Sequence, residues 1–122
     1  MRVVGCIGLA IVFLAGCIPE KSRTLGYVER FDPALDEIIA ADVLPEILGE
    51  GYEWSEGPVW VDSEEMLLFS DIPANAVMKW TEEKGVETYL KPSGFTGTDF
   101  KGKEPGSNGL LIGPDGRLVL CQ

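Results

Sequence analysis

The 122-residue sequence contains no histidine and only three cysteines, Cys6, Cys17 and Cys121. Without histidine, the chain cannot build a Ser-His-Asp triad or a histidine-ligated zinc site from its own residues. Basic residues are also scarce, because 10 lysines and arginines stand against 20 aspartates and glutamates. Nucleic-acid binding requires a basic face, so we expect no nucleic-acid partner. The acidic balance favours a soluble folded part that repels anionic surfaces.

The chain also lacks an apolar run of about 20 residues, the length that a transmembrane helix needs. Its N-terminal run of apolar and small residues extends only from Val3 to Leu14, after the single positive charge of Arg2. A charged start, a short apolar core and small residues at its end are typical of a secretory signal peptide. The ending Leu-Ala-Gly-Cys at residues 14–17 resembles the bacterial lipobox, in which the cysteine thiol takes a diacylglycerol and becomes the new N-terminus.

Residues 1–16 are therefore predicted to be a lipoprotein signal peptide, and Cys17 to be the lipid-carrying first residue of the mature protein. The alternative is a buried N-terminal strand or helix, which is disfavoured because Pro19 and a polar stretch at 20–24 follow at once. We expect an exported protein, anchored through its acyl chains to the periplasmic or extracellular face of a membrane. Cys121 is then the only free thiol, so the chain has no disulfide framework.

Residues 17–43 are predicted to form a tether and a short helix. The polar stretch 18–31 has no clear period, whereas Asp32-Pro33 is typical of a helix N-cap followed by proline at the first helical position. Apolar residues at 35, 38 and 39 then predict a helix or turn over 33–41.

From residue 44 onward, short apolar runs alternate with Gly, Pro and Asp, which is typical of an all-β sandwich, barrel or propeller. The predicted strands lie near 44–49, 57–61, 66–70, 76–80, 86–90, 109–112 and 117–121.

An internal repeat favours the propeller. Residues 56–70 align without a gap with residues 108–122, and both units contain a polar residue, glycine, apolar strand, turn, apolar strand and polar residue. A period near fifty residues with about four strands is typical of propeller blades. Residues 44–122 would then supply the first blade and the start of the second. Because a propeller closes with 4–8 blades, we expect the chain to be an N-terminal fragment of a longer protein.

The repeat places Glu56 and Asn108 at equivalent positions, at the start of the first strand of each unit. In a propeller, first strands line the central channel, so these oxygen-bearing side chains would converge there and suit a hard divalent cation. The alternative is that both are ordinary turn residues.

Two sets of motifs resemble the gluconolactonase/regucalcin/luciferin-regenerating-enzyme-like family. They are Trp-Ser-Glu-Gly-Pro-Val-Trp at 54–60 with Leu-Phe-Ser-Asp-Ile-Pro at 68–73, and Asn-Gly-Leu at 108–110 with Pro-Asp-Gly-Arg-Leu at 114–118. The resemblance covers residues 44–122. It implies an all-β, six-bladed β-propeller of which this chain holds about one and a half blades, with one divalent metal, calcium or zinc, in the channel.

The resemblance further implies that Glu56 is a metal ligand and that Asn108 contacts metal or substrate. The expected activity is a metal-dependent opening of sugar lactones, in which the cation polarises the carbonyl and an activated water attacks. The remaining ligands, an Asn and an Asp, and the general base would lie beyond Gln122, so the fragment alone is expected to be inactive. The alternatives are a non-catalytic propeller that binds a sugar or protein partner, and a small lipoprotein adaptor.

Other polar and aromatic residues receive structural interpretations. Asp71 is predicted to form an Asx-type turn, with a catalytic role as the alternative. The three tryptophans at 54, 60 and 80 are predicted to be core or blade-packing residues, with ligand contact as the alternative. In the loop 91–107, four polar residues either line a substrate pocket or belong to a plain polar loop: Ser93, Thr96, Thr98 and Asp99.

Overall fold

The computed structural model describes residues 23–122, so the predicted signal peptide at 1–16 and the predicted lipid-carrying Cys17 lie outside the described residues. In the part described, no helix is long and apolar enough to cross a membrane. The regular elements there are two short 3-10 helices, Pro33–Glu37 and Asp62–Glu64, and six strands. The strands are β1 (Ser55–Val61), β2 (Met66–Asp71), β3 (Ala76–Thr81), β4 (Gly85–Leu90), β5 (Leu110–Ile112) and β6 (Leu118–Leu120).

The strands form two antiparallel sheets, which confirms the all-β prediction. Strands β1 to β4 pair in chain order, β1-β2-β3-β4, and β5 pairs with β6. Six of the seven predicted strands are present, with ends that differ from the prediction by a few residues. A four-stranded meander followed by a second hairpin agrees with one blade and the start of another.

The strand predicted at 44–49 is absent. This segment makes one isolated bridge, between Thr24 and Glu46, with Leu25 N–H donating to the Pro45 carbonyl and Ile47 N–H donating to the Arg23 carbonyl. Pro45 has no N–H to donate, so the segment cannot continue as a regular ladder.

The helix or turn predicted at 33–41 is a 3-10 turn, and it is shorter than predicted because it covers only Pro33–Glu37. Its start is as expected, because the Asp32 carboxylate accepts a hydrogen bond of 2.8 Å from Ala34 N–H and proline opens the turn. None of its residues is buried, and Ile38 is 81% exposed. Because helix formation in so short a segment depends on tertiary packing, the apolar stripe without a core surface cannot extend the helix.

The core lies between one face of the four-stranded sheet and the β5–β6 hairpin. Strand β2 alternates buried and half-buried side chains, and its Met66 and Leu68 are joined by Val77 of β3. Partly buried apolar residues from both sheets pack on this cluster: Val59, Val61, Leu110, Leu118 and Leu120. The tryptophans are not part of this cluster, and Trp54 and Trp60 are about half exposed, at 47% and 50%. Within residues 23–122 they are therefore not core residues, and their packing between blades stays a prediction.

The repeat aligns the two hairpins correctly at their starts, and a bulge then separates their registers. In the first unit, Glu56 pairs with Ser70. The positions 52 residues later are 108 and 122, and the observed pairing of Leu110 with Leu120 has the same register. After the bulge between Glu56 and Val59, the pairing register of β1 with β2 shifts by one residue. The pairing register of β5 with β6 shows no such shift. The first unit has Gly-Pro at 57–58, and proline within a sheet is found at bulges, whereas the second unit has Gly-Leu.

Candidate site at the starts of strands β1 and β5

The two predicted site segments contact each other through backbone at Gly57. This residue has a φ of +61°, and a Cβ on it would stand 2.7 Å from the Asn108 carbonyl oxygen and 2.8 Å from Leu110 N. Only glycine accepts both the backbone conformation and the close approach. The fold therefore brings the residue after Glu56 against the backbone of Asn108.

The side chains of the two candidate ligands have different surroundings. Glu56 is exposed and borders a cleft of about 340 Å³ whose walls include Tyr52 and Phe69. Asn108 is half-buried and does not line that cleft, although its backbone contacts Gly57. The structure thus brings the two segments together without enclosing both side chains in one pocket.

Glu56 and Asn108 offer the type of oxygen ligand that a hard cation binds, but two ligands are too few to complete its coordination. A carboxylate and an amide oxygen are suitable calcium ligands, but calcium takes 6–8 oxygens. Within residues 23–122, no group of three or more His, Cys, Asp or Glu side chains is arranged to hold a metal ion. Glu56 and Asn108 can therefore form only part of a metal site.

A pair of buried serines is hydrogen-bonded to the backbone of Asn108. Ser70 and Ser107 are both fully buried, and their hydroxyl oxygens are 3.0 Å apart. The Ser70 hydroxyl also donates a 2.8 Å hydrogen bond to the Asn108 carbonyl. Ser70 and Ser107 were not predicted from the sequence to be site residues. The available signal was the polar residue Ser70 at an inward position of β2, two residues after buried Leu68.

The loop at 91–107 is attached to the sheet mainly through Asn75 in the β2–β3 turn. The Asn75 side-chain oxygen accepts hydrogen bonds from the backbone N–H groups of Ser93 at 3.0 Å and Gly94 at 2.8 Å, and its amide donates to the Phe95 carbonyl at 2.7 Å. Ser93 is buried and accepts from Ser107 N–H at 3.1 Å. The other predicted pocket residues, Thr96, Thr98 and Asp99, are exposed. Ser93 therefore has a structural role behind the site.

Asp71 does not form the predicted Asx-type turn. It is the last residue of β2, is only 8% exposed, and its Oδ1 has no hydrogen-bond partner among the described residues. Asp71 acts electrostatically on Tyr52. Burial raises the pKa of the Tyr52 hydroxyl, and the negative charge of Asp71 raises the same pKa further. A buried carboxylate oxygen needs a hydrogen-bond donor or a cation to offset its lost hydration, and residues 23–122 supply no such donor to this oxygen of Asp71.

Replacing Asp71 with asparagine tests this electrostatic coupling. In the intact protein, Asp71→Asn should lower the pKa of Tyr52 towards its ordinary value, while burial keeps it somewhat raised. Because the raised pKa favours the protonated hydroxyl in the folded state, stability should fall as the pH rises above about 10, and less so in Asp71→Asn. Phenolate absorbance during a pH titration, with Tyr52→Phe to identify the signal, measures the shift. An unchanged Tyr52 titration would contradict the coupling.

A family described as "SMP-30/Gluconolactonase/LRE-like region" matches residues 54–122. A gluconolactonase of Zymomonas mobilis subsp. mobilis (strain ATCC 31821 / ZM4 / CP4) is 46% identical over 100 residues, which are 80% of this chain and 28% of that protein. The chain thus spans little more than a quarter of the length of this relative.

An X-ray structure of a protein with a provisional gluconolactonase assignment also aligns with the chain. It is 27% identical, with a TM-score of 0.49, and the alignment covers 62% of this chain and 22% of the other.

Proposed function

Since the chain belongs to the SMP-30/gluconolactonase/LRE-like family, we propose that it is the N-terminal part of a membrane-anchored, metal-dependent hydrolase that opens sugar lactones. The observation that carries the reaction class is the 46% identity with a gluconolactonase over 100 residues. This aligned stretch covers 80% of the chain, so it includes most of the described strands. The substrate class that follows is a small lactone.

The contact between the starts of β1 and β5 supports a site in this part of the protein. Glu56 would contribute an anionic oxygen and Asn108 a neutral amide oxygen to a divalent cation, calcium or zinc. A cation bound there would supply Lewis-acid polarisation of the lactone carbonyl. The Asn108 amide also carries N–H groups that can donate to a substrate oxygen, which is the basis for assigning it to substrate binding as well.

The remaining parts of the site are proposed to come from outside this chain. Two oxygen donors do not complete a calcium shell, so further ligands and a general base are required. The sheet of β1 to β4, packed against the β5–β6 hairpin, supports a propeller whose later blades supply them, with six blades as the proposed number. On this proposal the present chain is inactive by itself.

Lactone hydrolysis by the full-length protein tests the proposal. We expect glucono-1,5-lactone to open well above its spontaneous rate in the presence of calcium or zinc, with the activity lost after chelation and recovered when the metal is returned. Acid release followed by pH indicator measures the rate, and a reaction without protein provides the spontaneous background. Hydrolysis at the background rate with every divalent metal would refute the lactonase and favour a non-catalytic propeller that binds a sugar or a protein.

A further inference from the structure

We propose that Ser70 is a positioning residue for Asn108, and that its buried hydroxyl holds the Asn108 backbone in the place from which the amide side chain reaches metal or substrate. This inference rests on the proposed function for the role of the Asn108 side chain. The positioning itself rests on hydrogen bonds between the two sheets.

The number of available hydroxyl protons determines which serine of the pair is the donor. A serine hydroxyl has one proton to donate, and the proton of Ser70 is used on the Asn108 carbonyl at 2.8 Å, since a carbonyl can only accept. Ser107 must therefore donate to Ser70 across their 3.0 Å contact. Both hydroxyls are fully buried, so water cannot replace a missing partner without a rearrangement of the site.

Asn108 is held from both sides by its backbone. Its N–H donates to the Cys121 carbonyl at 2.8 Å, and Cys121 N–H donates to the Gly109 carbonyl at 3.0 Å, which attaches this end of the strand to the β6 side of its own hairpin. Its C=O is held by Ser70 of β2, which belongs to the other sheet. The Asn108 side-chain amide, by contrast, makes no hydrogen bond to any residue of 23–122. The backbone is thus fixed while the amide keeps its donors and acceptor available.

The close approach at Gly57 makes this position sensitive. The Asn108 carbonyl oxygen that accepts from Ser70 is also the atom nearest to a Cβ built on Gly57. A shift of the Asn108 carbonyl would therefore change its separation from the segment that carries Glu56. Ser70 consequently controls the distance between the Asn108 backbone and the segment that carries Glu56. The Ser93 hydroxyl has no such direct effect, because it bonds to Ser107 N–H and not to Asn108.

Ser70→Ala in the full-length protein removes this hydrogen bond. Ser93→Ala is the matched control, because it also deletes a buried hydroxyl of the same network but one that accepts only from Ser107 N–H. We expect Ser70→Ala to raise the KM for glucono-1,5-lactone by about tenfold or more, since misplacement of a binding group weakens binding or lowers rate by such factors. Both substitutions should lower the thermal stability to a similar extent, because each removes a buried hydrogen bond. Ser93→Ala should nevertheless change the KM by less than about threefold.

A second readout is independent of catalysis. In the metal-free protein, amide hydrogen exchange at residues 108–110 should accelerate in Ser70→Ala more than in Ser93→Ala, because only Ser70 bonds the Asn108 carbonyl. Faster exchange there without lactonase activity in the unsubstituted protein would support the positioning and refute the proposed function. Equal exchange at residues 108–110 in the two variants, at matched stability, would overturn the positioning role whatever the activity of the unsubstituted protein. If that protein is active, an equal KM in the two variants would overturn the role as well.

Discussion

Glu56→Gln in the full-length protein should reduce lactone hydrolysis and metal affinity together. The substitution preserves the shape of the side chain but removes the negative charge that would hold a divalent cation. Loss of residues that merely support a metal ligand costs about 10–100-fold in affinity or activity, so loss of a ligand charge should cost at least as much. Excess metal should partly restore the rate, since the deficit lies in metal occupancy. Titration of calcium or zinc during lactone opening measures both quantities.

Glu64→Gln is the matched control for this experiment. Glu64 is an exposed glutamate in the turn that follows β1, so its substitution makes the same charge change at the opposite end of the strand. It should leave hydrolysis and metal affinity unchanged, and an exposed substitution of this kind alters stability by less than about 0.5 kcal/mol. If Glu56→Gln behaves like Glu64→Gln at limiting metal, Glu56 is a turn residue, and the argument for a cation at this end of β1 is lost.

Cys17→Ser should abolish membrane attachment and signal-peptide processing of the full-length protein in a bacterial host. The Leu-Ala-Gly-Cys motif at 14–17 predicts acylation of the Cys17 thiol, and serine has no thiol to modify. Each buried methylene contributes about 0.8 kcal/mol, and stable anchoring takes more than one acyl chain, so removal of the chains should release the protein. Mass spectrometry of the membrane fraction should find an acylated N-terminal cysteine only in the unsubstituted protein.

Cys6→Ser provides the control for this prediction, because it changes a cysteine of the same apolar run without touching the predicted acylation site. It should be processed and partition to membranes normally. Ile18 follows Cys17, and the absence of an aspartate there leads us to expect the outer membrane in a cell with two membranes. A Cys17→Ser protein that matures and stays with membranes would show that the N-terminal run is not a lipoprotein signal.

The strands were predictable from sequence because each has a local cause. Apolar residues alternate along β2 and are interrupted by Gly, Pro and Asp at the turns, so both the strand and its limits are visible. The segment 44–49 carries a similar apolar pattern, but it contains Pro45 and, among residues 23–122, its bridge is the isolated one between Thr24 and Glu46, so it does not become a strand. Likewise the 33–41 stripe has a good N-cap but no surface to pack against, and it stops after Glu37.

The identity of the candidate ligands was also local information. Glu56 and Asn108 were recognised because they recur at equivalent places in a repeat with an offset of 52 residues, and because their motifs resemble those of a known family. Their segments do meet at Gly57. Their membership in one metal site remains a prediction, which the metal titration of Glu56→Gln addresses.

The sequence by itself determined the all-β class and the positions of six strands along the chain, and it predicted the candidate cation ligands, since periodicity, turn residues and oxygen-bearing side chains are properties of short segments. Only the tertiary structure decided that Asp71 is buried with an Oδ1 that accepts no hydrogen bond from residues 23–122, that Trp54 and Trp60 are half exposed, and that Ser70 holds the Asn108 carbonyl from the other sheet. Ser70 and Asn108 are 38 residues apart in the chain. The physical reason is that burial and hydrogen bonding depend on which segments pack together, and no local pattern specifies a contact between two sheets.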